Sequence, residues 1–250
     1  MTTSKKYERY HRQMLLPEIR AKGQKILAAS KILLIGAGGL GSSAAFYLAA
    51  AGVGQIGMMD DDVVDETNLN RQILHSPATI GQPKVSSAQQ TLNRFNPDIT
   101  IKSYPFRCSS EQQLEELILD YDIVLDCTDN YATRYAINQA CLNQHKPWVY
   151  GAVSEFEGQV MTLIPGKTPC YACLYPSAPV ESKEKAAVIG VAPGVIGTLQ
   201  ASEALKYLLG TGKLLTGRLL FVDLMDMQFD VMAVTKNTDC PICRHLDNSI

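Results

Sequence analysis

The sequence predicts an α/β protein built on a mostly parallel β-sheet with helices on both faces. Short apolar segments alternate with segments of helical spacing from residue 31 to residue 151. The first apolar segment runs into the glycine-rich stretch GAGGLG at 36–41, and the second ends in three acids at 60–62. Such alternation is typical of strand–helix–strand units, whose strands pair in parallel.

Each element follows from a local pattern. Strands are predicted where short runs rich in β-branched residues lie between turn residues, and helices where apolar residues recur every three or four positions. The helix over 83–95 ends before Asn96-Pro97, because a residue that precedes proline disfavours the helical conformation. The predicted strands cover 31–35, 55–60, 99–104, 123–126 and 148–151, and the predicted helices cover 42–51, 83–95, 111–119 and 130–144.

After Gly151 the pattern changes. Three strand-like segments remain at 159–164, 218–223 and 228–235, together with one long helix over 194–209. We therefore expect a Rossmann-like, mostly parallel sheet extended by C-terminal antiparallel strands, within a single domain of residues 1–250. Residues 1–30 would form N-terminal helices, 31–152 the Rossmann-like part and 153–250 the extension, with a polar, mobile segment at 176–185.

Composition excludes several classes of function. A net charge of −2 over 250 residues favours neither a nucleic-acid partner nor an acidic membrane surface. The polar N-terminus has no signal core, and the apolar run 186–202 is interrupted by Pro193 and three glycines, which favours a buried loop and helix over a membrane span. Seven cysteines without a signal peptide predict thiols or metal ligands in the cytoplasm.

The glycine loop predicts a nucleotide site. Gly36, Gly38 and Gly41 satisfy GxGxxG between a strand and a helix, where bare backbone and helix N–H groups suit phosphate. Asp60 follows at the end of the next strand, where a carboxylate can bind ribose hydroxyls. The alternative is a tight structural turn. On its own, the fingerprint favours NAD and a dehydrogenase.

Basic residues around the loop favour a polyphosphate over NAD. Arg71 and Lys84 follow the second strand, and Asp129 with Asn130 follows the fourth, at the edge of the sheet where ligands bind. Each cation alone could be an ordinary surface charge. The histidines offer no evident acid or base for hydride chemistry, because the terminal segments hold His11 and His245, and solvated surface positions are expected for His75 and His145.

Two CxxC pairs predict a structural zinc site. Cys170 and Cys173 form one pair, and Cys240 and Cys243 form the other. Four thiolates suit tetrahedral Zn²⁺ and leave no open position for catalysis. A redox dithiol or four ordinary thiols is the alternative. The remaining Cys127 and Cys141 are expected to be small buried thiols.

Taken together, these motifs resemble the ThiF/MoeB/HesA adenylyltransferases, relatives of ubiquitin-activating enzymes. The resemblance covers nearly the whole chain in order, and the set is highly specific although each motif alone is weak. The matching segments are RYHRQMLL at 9–16, GAGGLG at 36–41, GVGQIGMMDDD at 52–62, TNLNRQ at 67–72, GQPKV at 81–85, LDCTDN at 125–130, CYAC at 170–173, GVIGTLQASEALK at 194–206 and CPIC at 240–243.

The resemblance implies ATP and Mg²⁺ as ligands and Zn²⁺ as a structural metal. It implies that Gly39 and its neighbours approach the phosphates and that Asp60 binds the ribose. Asn68, Arg71 and Lys84, next to Gln72, would hold the triphosphate. Asp129 would coordinate Mg²⁺ with Asn130 beside it. Arg12 would reach the phosphates of the partner subunit, because family members form symmetric homodimers.

The implied reaction adenylates the C-terminal glycine of a small ubiquitin-like sulfur-carrier protein ending in Gly-Gly, after which a sulfur donor displaces AMP. Residues 153–250 would then include the carrier-binding part. Thiamine or molybdopterin synthesis is favoured over tRNA thiolation or a natural-product peptide pathway because no rhodanese domain is attached. A non-catalytic nucleotide-binding scaffold and a nicotinamide-dependent oxidoreductase are the alternatives.

The sequence departs from the family in one loop. Many relatives carry a cysteine shortly before the GxxGxxGxxQ helix, whereas this chain reads ESKEKAA at 181–187. We therefore expect the protein to stop at the acyl-adenylate, without a thioester or acyl disulfide on that loop.

Overall fold

The computed structural model describes residues 5–108, 110–178 and 187–245. An eight-stranded mixed sheet runs through the protein in the order β3-β2-β1-β4-β5-β6-β7-β8. The first five strands pair in parallel, and the pairs from β5–β6 onwards are antiparallel. The strands are Lys31–Ile35 (β1), Gln55–Met59 (β2), Thr100–Tyr104 (β3), Ile123–Asp126 (β4), Trp148–Ser154 (β5), Glu157–Leu163 (β6), Arg218–Asp223 (β7) and Gln228–Ala233 (β8).

Eight α-helices and three short 3₁₀ segments occupy the described part of the chain. The 3₁₀ segments are Lys5–Tyr10, Glu66–Asn68 and Pro77–Thr79. The helices are His11–Met14 (α1), Arg20–Ala29 (α2), Gly39–Ala51 (α3), Lys84–Phe95 (α4), Glu111–Leu119 (α5), Tyr131–Asn143 (α6), Tyr171–Leu174 (α7) and Val191–Leu209 (α8). Among the described residues, no helix is long and apolar enough to cross a bilayer.

The predicted fold class is confirmed, with shifts at element ends. The helix predicted over 42–51 begins at Gly39, because its first turn is made by the glycine loop itself. The helix predicted from residue 194 begins at Val191, since proline at position 193 lies in the first turn, where its missing N–H costs nothing. β5 extends to Ser154, three residues beyond the prediction.

Alternating side chains of the central strands enter two separate cores. Ile32 and Leu34 of β1 belong to a core shared with α3, α4 and α8, whereas Leu33 and Ile35 face a second core with α5, α6 and α7. All four side chains are buried, as expected for a parallel strand covered on both faces. The first core also takes residues from β6 and β7, so the antiparallel extension shares packing with the parallel part.

Helix α8 packs against both parts of the sheet, through the core that it shares with β5, β6 and β7. Within the parallel part, its buried Gln200 donates from Nε2 to the carbonyl oxygens of Asp126 (2.6 Å), the last residue of β4, and Val149 (3.1 Å), near the start of β5. Its Gly197 lies directly against α3, where an added Cβ would overlap the Leu40 carbonyl oxygen and the Ser43 hydroxyl. The close contact of α3 and α8 therefore requires a residue without a side chain.

Replacing Gly197 with alanine should destabilise the fold by about 1–3 kcal/mol, because the new methyl group overpacks the helix contact. Gly194, on the same helix, is the matched control: a Cβ there meets nothing within 4 Å. Gly194→Ala should be neutral or stabilising by about 0.5–1 kcal/mol through its better helix propensity. Thermal unfolding of both variants checks this, and equal melting temperatures would contradict the packing account.

Candidate functional site

Two glycines of the loop between β1 and α3, Gly36 and Gly41, have no space for a side chain. Gly36 has φ = 104°, a left-handed conformation, and a Cβ on it would overlap the carbonyl oxygen of Cys127. A Cβ on Gly41 would overlap the Gly36 carbonyl oxygen. These two glycines let the loop turn tightly against the residue that follows β4.

The middle glycines differ from each other. At Gly38 a Cβ would have a single near neighbour, Gln72 Nε2 at 3.6 Å, so the backbone here borders open space. At Gly39 it would lie 2.8 Å from Pro193 Cβ of α8. Gly38 is thus the position where a ligand can approach the backbone, while Gly39 also permits the approach of α8.

Asp60 directly follows β2 and touches the glycine loop. Its Oδ2 accepts a hydrogen bond from the Ala37 N–H (2.7 Å), and its Oδ1 accepts one from the Asp62 N–H (2.9 Å). Burial raises the pKa of the Asp60 carboxyl, while nearby Lys84 lowers it. Each oxygen keeps a second lone pair, so the carboxylate can still accept from the hydroxyl groups of a ligand.

Lys84 begins α4 and is buried, as few lysines are. Its Nζ lies 2.7 Å from Asp62 Oδ2, and its backbone N–H donates to the Asp62 carbonyl. The Asp62 side chain is 64% exposed, so this ion pair is screened by water and weak. An anionic ligand could take the place of the Asp62 carboxylate on Lys84.

The segment between β2 and α4 holds three further predicted residues. Asn68 Oδ1 accepts from the Asp65 N–H (3.2 Å), and Arg71 donates to the Thr67 carbonyl (3.0 Å). Gln72 is only 4% exposed, yet within the described part of the chain its Oε1 has no hydrogen-bond partner. Buried amide oxygens normally have one, so Gln72 fits a site completed by a ligand or by water.

The turn after β4 is held by a buried ion pair that sequence reasoning missed. Asp126 is fully buried, and its Oδ2 lies 3.4 Å from Arg134 Nε of α6. Burial raises the pKa of the Asp126 carboxyl, and the Arg134 guanidinium opposes that rise. Asp126 Oδ1 accepts from the N–H and hydroxyl of Thr128, and Arg134 donates to the Thr128 carbonyl (2.9 Å). The sequence signal that could have indicated this pair is the aspartate at the end of an apolar strand.

Asp129 and Asn130 follow this fixed turn. Asn130 caps α6 by accepting from the Thr133 N–H (2.9 Å). Asp129 is exposed, and among the described residues it has neither a hydrogen bond nor an ion pair. Its carboxylate is available to a cation, and oxygen ligands are those Mg²⁺ prefers.

Arg12 does not join the other predicted residues within one chain. It is an exposed residue of α1, and its neighbour Gln13 donates to the carbonyl of Ala51, the last residue of α3. The thirteen residues of α3 therefore separate this contact from the glycine loop, a distance of roughly 18 Å. The prediction that Arg12 serves the partner subunit's site is compatible with this placement.

The prediction that His75 is a solvated surface residue is wrong. Its side chain is buried, with Nε2 3.0 Å from the Ala37 carbonyl oxygen and Nδ1 3.0 Å from Ser87 Oγ. Its place beside a predicted helix end suggested exposure, but the neighbouring Leu74 is buried in the core, which places this segment inside the protein. His145 is exposed, as predicted.

The four predicted zinc ligands come together although 66 residues separate the two pairs. Their Sγ atoms all lie within 4.8 Å of one another. The closest contacts are Cys173–Cys243 at 3.4 Å, Cys170–Cys240 at 3.7 Å and Cys170–Cys173 at 3.9 Å. A tetrahedron with Zn–S bonds of about 2.3 Å has sulfur–sulfur edges of roughly 3.8 Å. The residues present therefore fit Zn²⁺.

With the geometry established, comparison with known proteins identifies the family. Residues 10–242 match the ThiF family. The chain belongs to the ThiF family. A sulfur carrier protein adenylyltransferase of Thermus thermophilus is 43% identical, over 96% of this chain and 92% of that protein. The SAMP-activating enzyme E1 of Haloferax volcanii is 42% identical, over 94% and 88%.

Longer relatives and solved structures complete the comparison. The adenylyltransferase and sulfurtransferase MOCS3 of Anopheles gambiae is 43% identical, but this chain covers only 54% of it. The crystal structure of E. coli MccB with ATP superposes with a TM-score of 0.84 at 22% identity, over 94% of this chain and 74% of that one. SeMet PaaA superposes with a TM-score of 0.80 at 22% identity, over 94% and 76%. At such identities the likeness shows the fold alone.

Cys173→Ser should lower the zinc content and the melting temperature together, because ligation of a structural metal contributes to folding. Cys108→Ser is the matched control: Cys108 lies outside the cluster and is partly exposed. Metal analysis and thermal unfolding of both variants check this. If Cys173→Ser kept the zinc content and melting curve of the original protein, the cluster would not be a zinc site.

Proposed function

We propose that this protein uses ATP to adenylate the C-terminal glycine carboxylate of a small ubiquitin-like sulfur-carrier protein, with release of pyrophosphate. One observation carries the proposal: a glycine loop with a bare backbone at Gly38 lies beside cationic and carboxylate side chains at the carboxyl ends of β1, β2 and β4. Two relatives that this chain matches along most of their length are named sulfur carrier protein adenylyltransferase and SAMP-activating enzyme E1, and they support the class of partner.

Each part of the site has a proposed role. Asp60, which already holds the loop, would accept from the ribose hydroxyls. Gly36, Gly38, Gly39 and Gly41 would let the backbone approach the phosphates. The cations and amides of the β2–α4 segment would bind the triphosphate, and Asp129 would hold Mg²⁺, which supplies charge neutralisation. The amide and cationic side chains are Asn68, Arg71, Gln72 and Lys84, and Asn130 would support Asp129.

The proposed reaction requires that the two reactants be aligned and that their negative charges be neutralised. A carboxylate oxygen of the carrier attacks the α-phosphorus of ATP, the bond from that phosphorus to the α–β bridging oxygen breaks, and pyrophosphate leaves with the electron pair. The nucleophile is already ionised near neutral pH, so no general base is required. Both reactants are anions, and fixed cations such as Lys84 and Arg71 lower the cost of bringing them together.

A nicotinamide cofactor and a non-catalytic scaffold fit less well. NAD carries a pyrophosphate without the terminal phosphates that the β2–α4 cations would bind. The described part of the chain holds no free imidazole beside the loop, because both nitrogens of His75 have partners. A non-catalytic scaffold would bind nucleotide through the same groups, but the relatives matched along most of their length are named as an adenylyltransferase and an activating enzyme. We therefore favour the enzyme.

The cysteines support a reaction that ends at the acyl-adenylate. Residues 181–186 lie outside the described residues, and the sequence places no cysteine there. Burial raises the pKa of the Cys127, Cys141 and Cys108 thiols, so none is an activated thiolate. We propose that a separate sulfur donor displaces AMP to leave a thiocarboxylate on the carrier. The pathway served, the cytoplasmic location and the three-part division of the chain stay predictions.

We further propose a symmetric homodimer in which each Arg12 serves the partner subunit's site. The placement of α1 near the far end of α3 supports it, since Arg12 is too distant to reach the glycine loop of its own chain. Two-fold symmetry would complete both sites at once.

Asp129→Ala should abolish pyrophosphate–ATP exchange in the presence of a Gly-Gly-ended carrier, because the cation would lose its ligand. Its melting temperature should not change, as the exposed carboxylate has no partner among the described residues. Asp98→Ala is the control: this exposed acid precedes β3 at the opposite edge of the sheet and should keep full exchange. If Asp129→Ala retained exchange, the assignment would be wrong.

Arg12→Ala and Asp129→Ala should each inactivate their own homodimers but complement each other when mixed. In a mixed dimer one site combines an intact Asp129 with an intact Arg12 from the partner. Random subunit exchange should then restore about a quarter of the original activity. Exchange assays on the mixture check this, and no recovery in a mixture proven to contain mixed dimers would contradict the shared site.

A further inference from the structure

Ala37 is held from both sides although its own side chain has no chemistry to contribute. Its N–H donates to Asp60 Oδ2 (2.7 Å), and its carbonyl oxygen lies 3.0 Å from His75 Nε2. Both partners belong to the connection between β2 and α4, with Asp60 at its start and His75 fifteen residues further on. Both peptide groups that flank Ala37, in the centre of the glycine loop, are therefore fixed by side chains.

His75 is itself anchored on three sides. Its Nδ1 lies 3.0 Å from Ser87 Oγ of α4, and that hydroxyl also contacts Thr79 Oγ1 at 2.9 Å. Its backbone N–H donates to the Gln72 carbonyl (3.0 Å). The preceding Leu74 is buried and its carbonyl accepts from the Thr91 hydroxyl (2.9 Å). The imidazole therefore cannot follow the glycine loop if that loop moves.

The contacts determine which nitrogen carries the proton. A carbonyl oxygen can only accept, so Nε2 must donate to Ala37. Nδ1 lies 3.0 Å from Ser87 Oγ, whose hydroxyl donates to Thr79 Oγ1, so the bond to the Ala37 carbonyl is the contact that assigns the proton. Burial lowers the pKa of His75, the Ala37 carbonyl raises it, Lys84 lowers it and Asp60 raises it, with a net fall below the usual value. At neutral pH the ring is therefore uncharged, in the Nε2–H form.

One peptide plane connects this bond to the ligand side of the loop. The Ala37 carbonyl and the Gly38 N–H belong to the same trans peptide unit and point in opposite directions. Fixing the carbonyl on His75 therefore fixes the direction of the Gly38 N–H. Gly38 is also the glycine that borders open space.

We infer that His75 is a positioning residue that aims the Gly38 N–H at a phosphate of the bound nucleotide. The inference rests on the proposed use of ATP and deepens it. His75 touches neither the nucleotide nor the carrier in this account. It acts through the backbone, and Asp60, on the other side of Ala37, links the same loop to the ribose.

Calorimetric titration with ATP and with adenosine tests the inference. Adenosine keeps the base and ribose but has no phosphate. His75→Leu, which fills similar space without an N–H donor, should weaken ATP binding roughly tenfold, the effect of one lost hydrogen bond. Adenosine binding should change little. His75→Gln, whose amide N–H can reach the Ala37 carbonyl, should recover most of the ATP affinity.

His145→Asn is the matched control, since it removes an exposed histidine and asparagine tolerates its positive φ of 51°. Equal losses for ATP and adenosine, or none, in His75→Leu would overturn the inference. If the original protein bound no ATP, the proposed function would fail as well. Should His75→Leu not fold, ¹⁵N NMR of the original protein decides: the Nε2–H tautomer is expected, and the Nδ1–H tautomer would refute the inference.

Discussion

The contact of the β1–α3 loop with the turn after β4 is the constraint from which the rest of the site follows. The Cys127 carbonyl occupies the space that a side chain on Gly36 would need, and Gly41 packs on the Gly36 carbonyl in the same way. β1 and β4 are neighbours in the sheet, and the strand order reverses between them. In open parallel sheets the ligand crevice lies at such a switch point. The glycines thus close the floor of the crevice.

The charged side chains around the floor of this crevice favour an anionic ligand. The anionic groups nearest the backbone are engaged inside the protein: Asp60 accepts from the loop, and Asp126 pairs with Arg134. Within the described ranges, the one side-chain partner of the Lys84 ammonium is the exposed Asp62 carboxylate. An incoming polyphosphate would therefore meet N–H groups and a weakly paired ammonium, while Asp60 and Asp126 are bound to internal donors and the exposed Asp129 is available to a cation. This arrangement selects an anionic ligand before any catalytic step.

The sequence allowed the fold class and most elements to be predicted, because apolar periodicity and glycine spacing are local signals. The observed ends of some elements differ from the predicted ones where a residue fits two kinds of structure. Gly39 is an example, because it belongs both to the glycine loop and to the first turn of α3. The burial of His75 and the partner of Asp126 depend on residues that the fold brings from elsewhere, so the sequence showed at most that an aspartate ends an apolar strand. The two cysteine pairs were predictable as metal ligands from their CxxC spacing. Because the pairs are far apart in the sequence, the positions of the four sulfur atoms were not predictable.

The central claim is that the crevice transfers the adenylyl group of ATP to a partner's terminal carboxylate. The most direct measurement is the intact mass of a Gly-Gly-ended sulfur-carrier protein after incubation with this zinc-loaded protein, Mg²⁺ and ATP, quenched before hydrolysis. We expect the carrier mass to increase by one adenylyl group, with stoichiometric pyrophosphate and no mass change on this protein. The account would be contradicted if the carrier stayed unmodified and this protein bound NADH but not ATP.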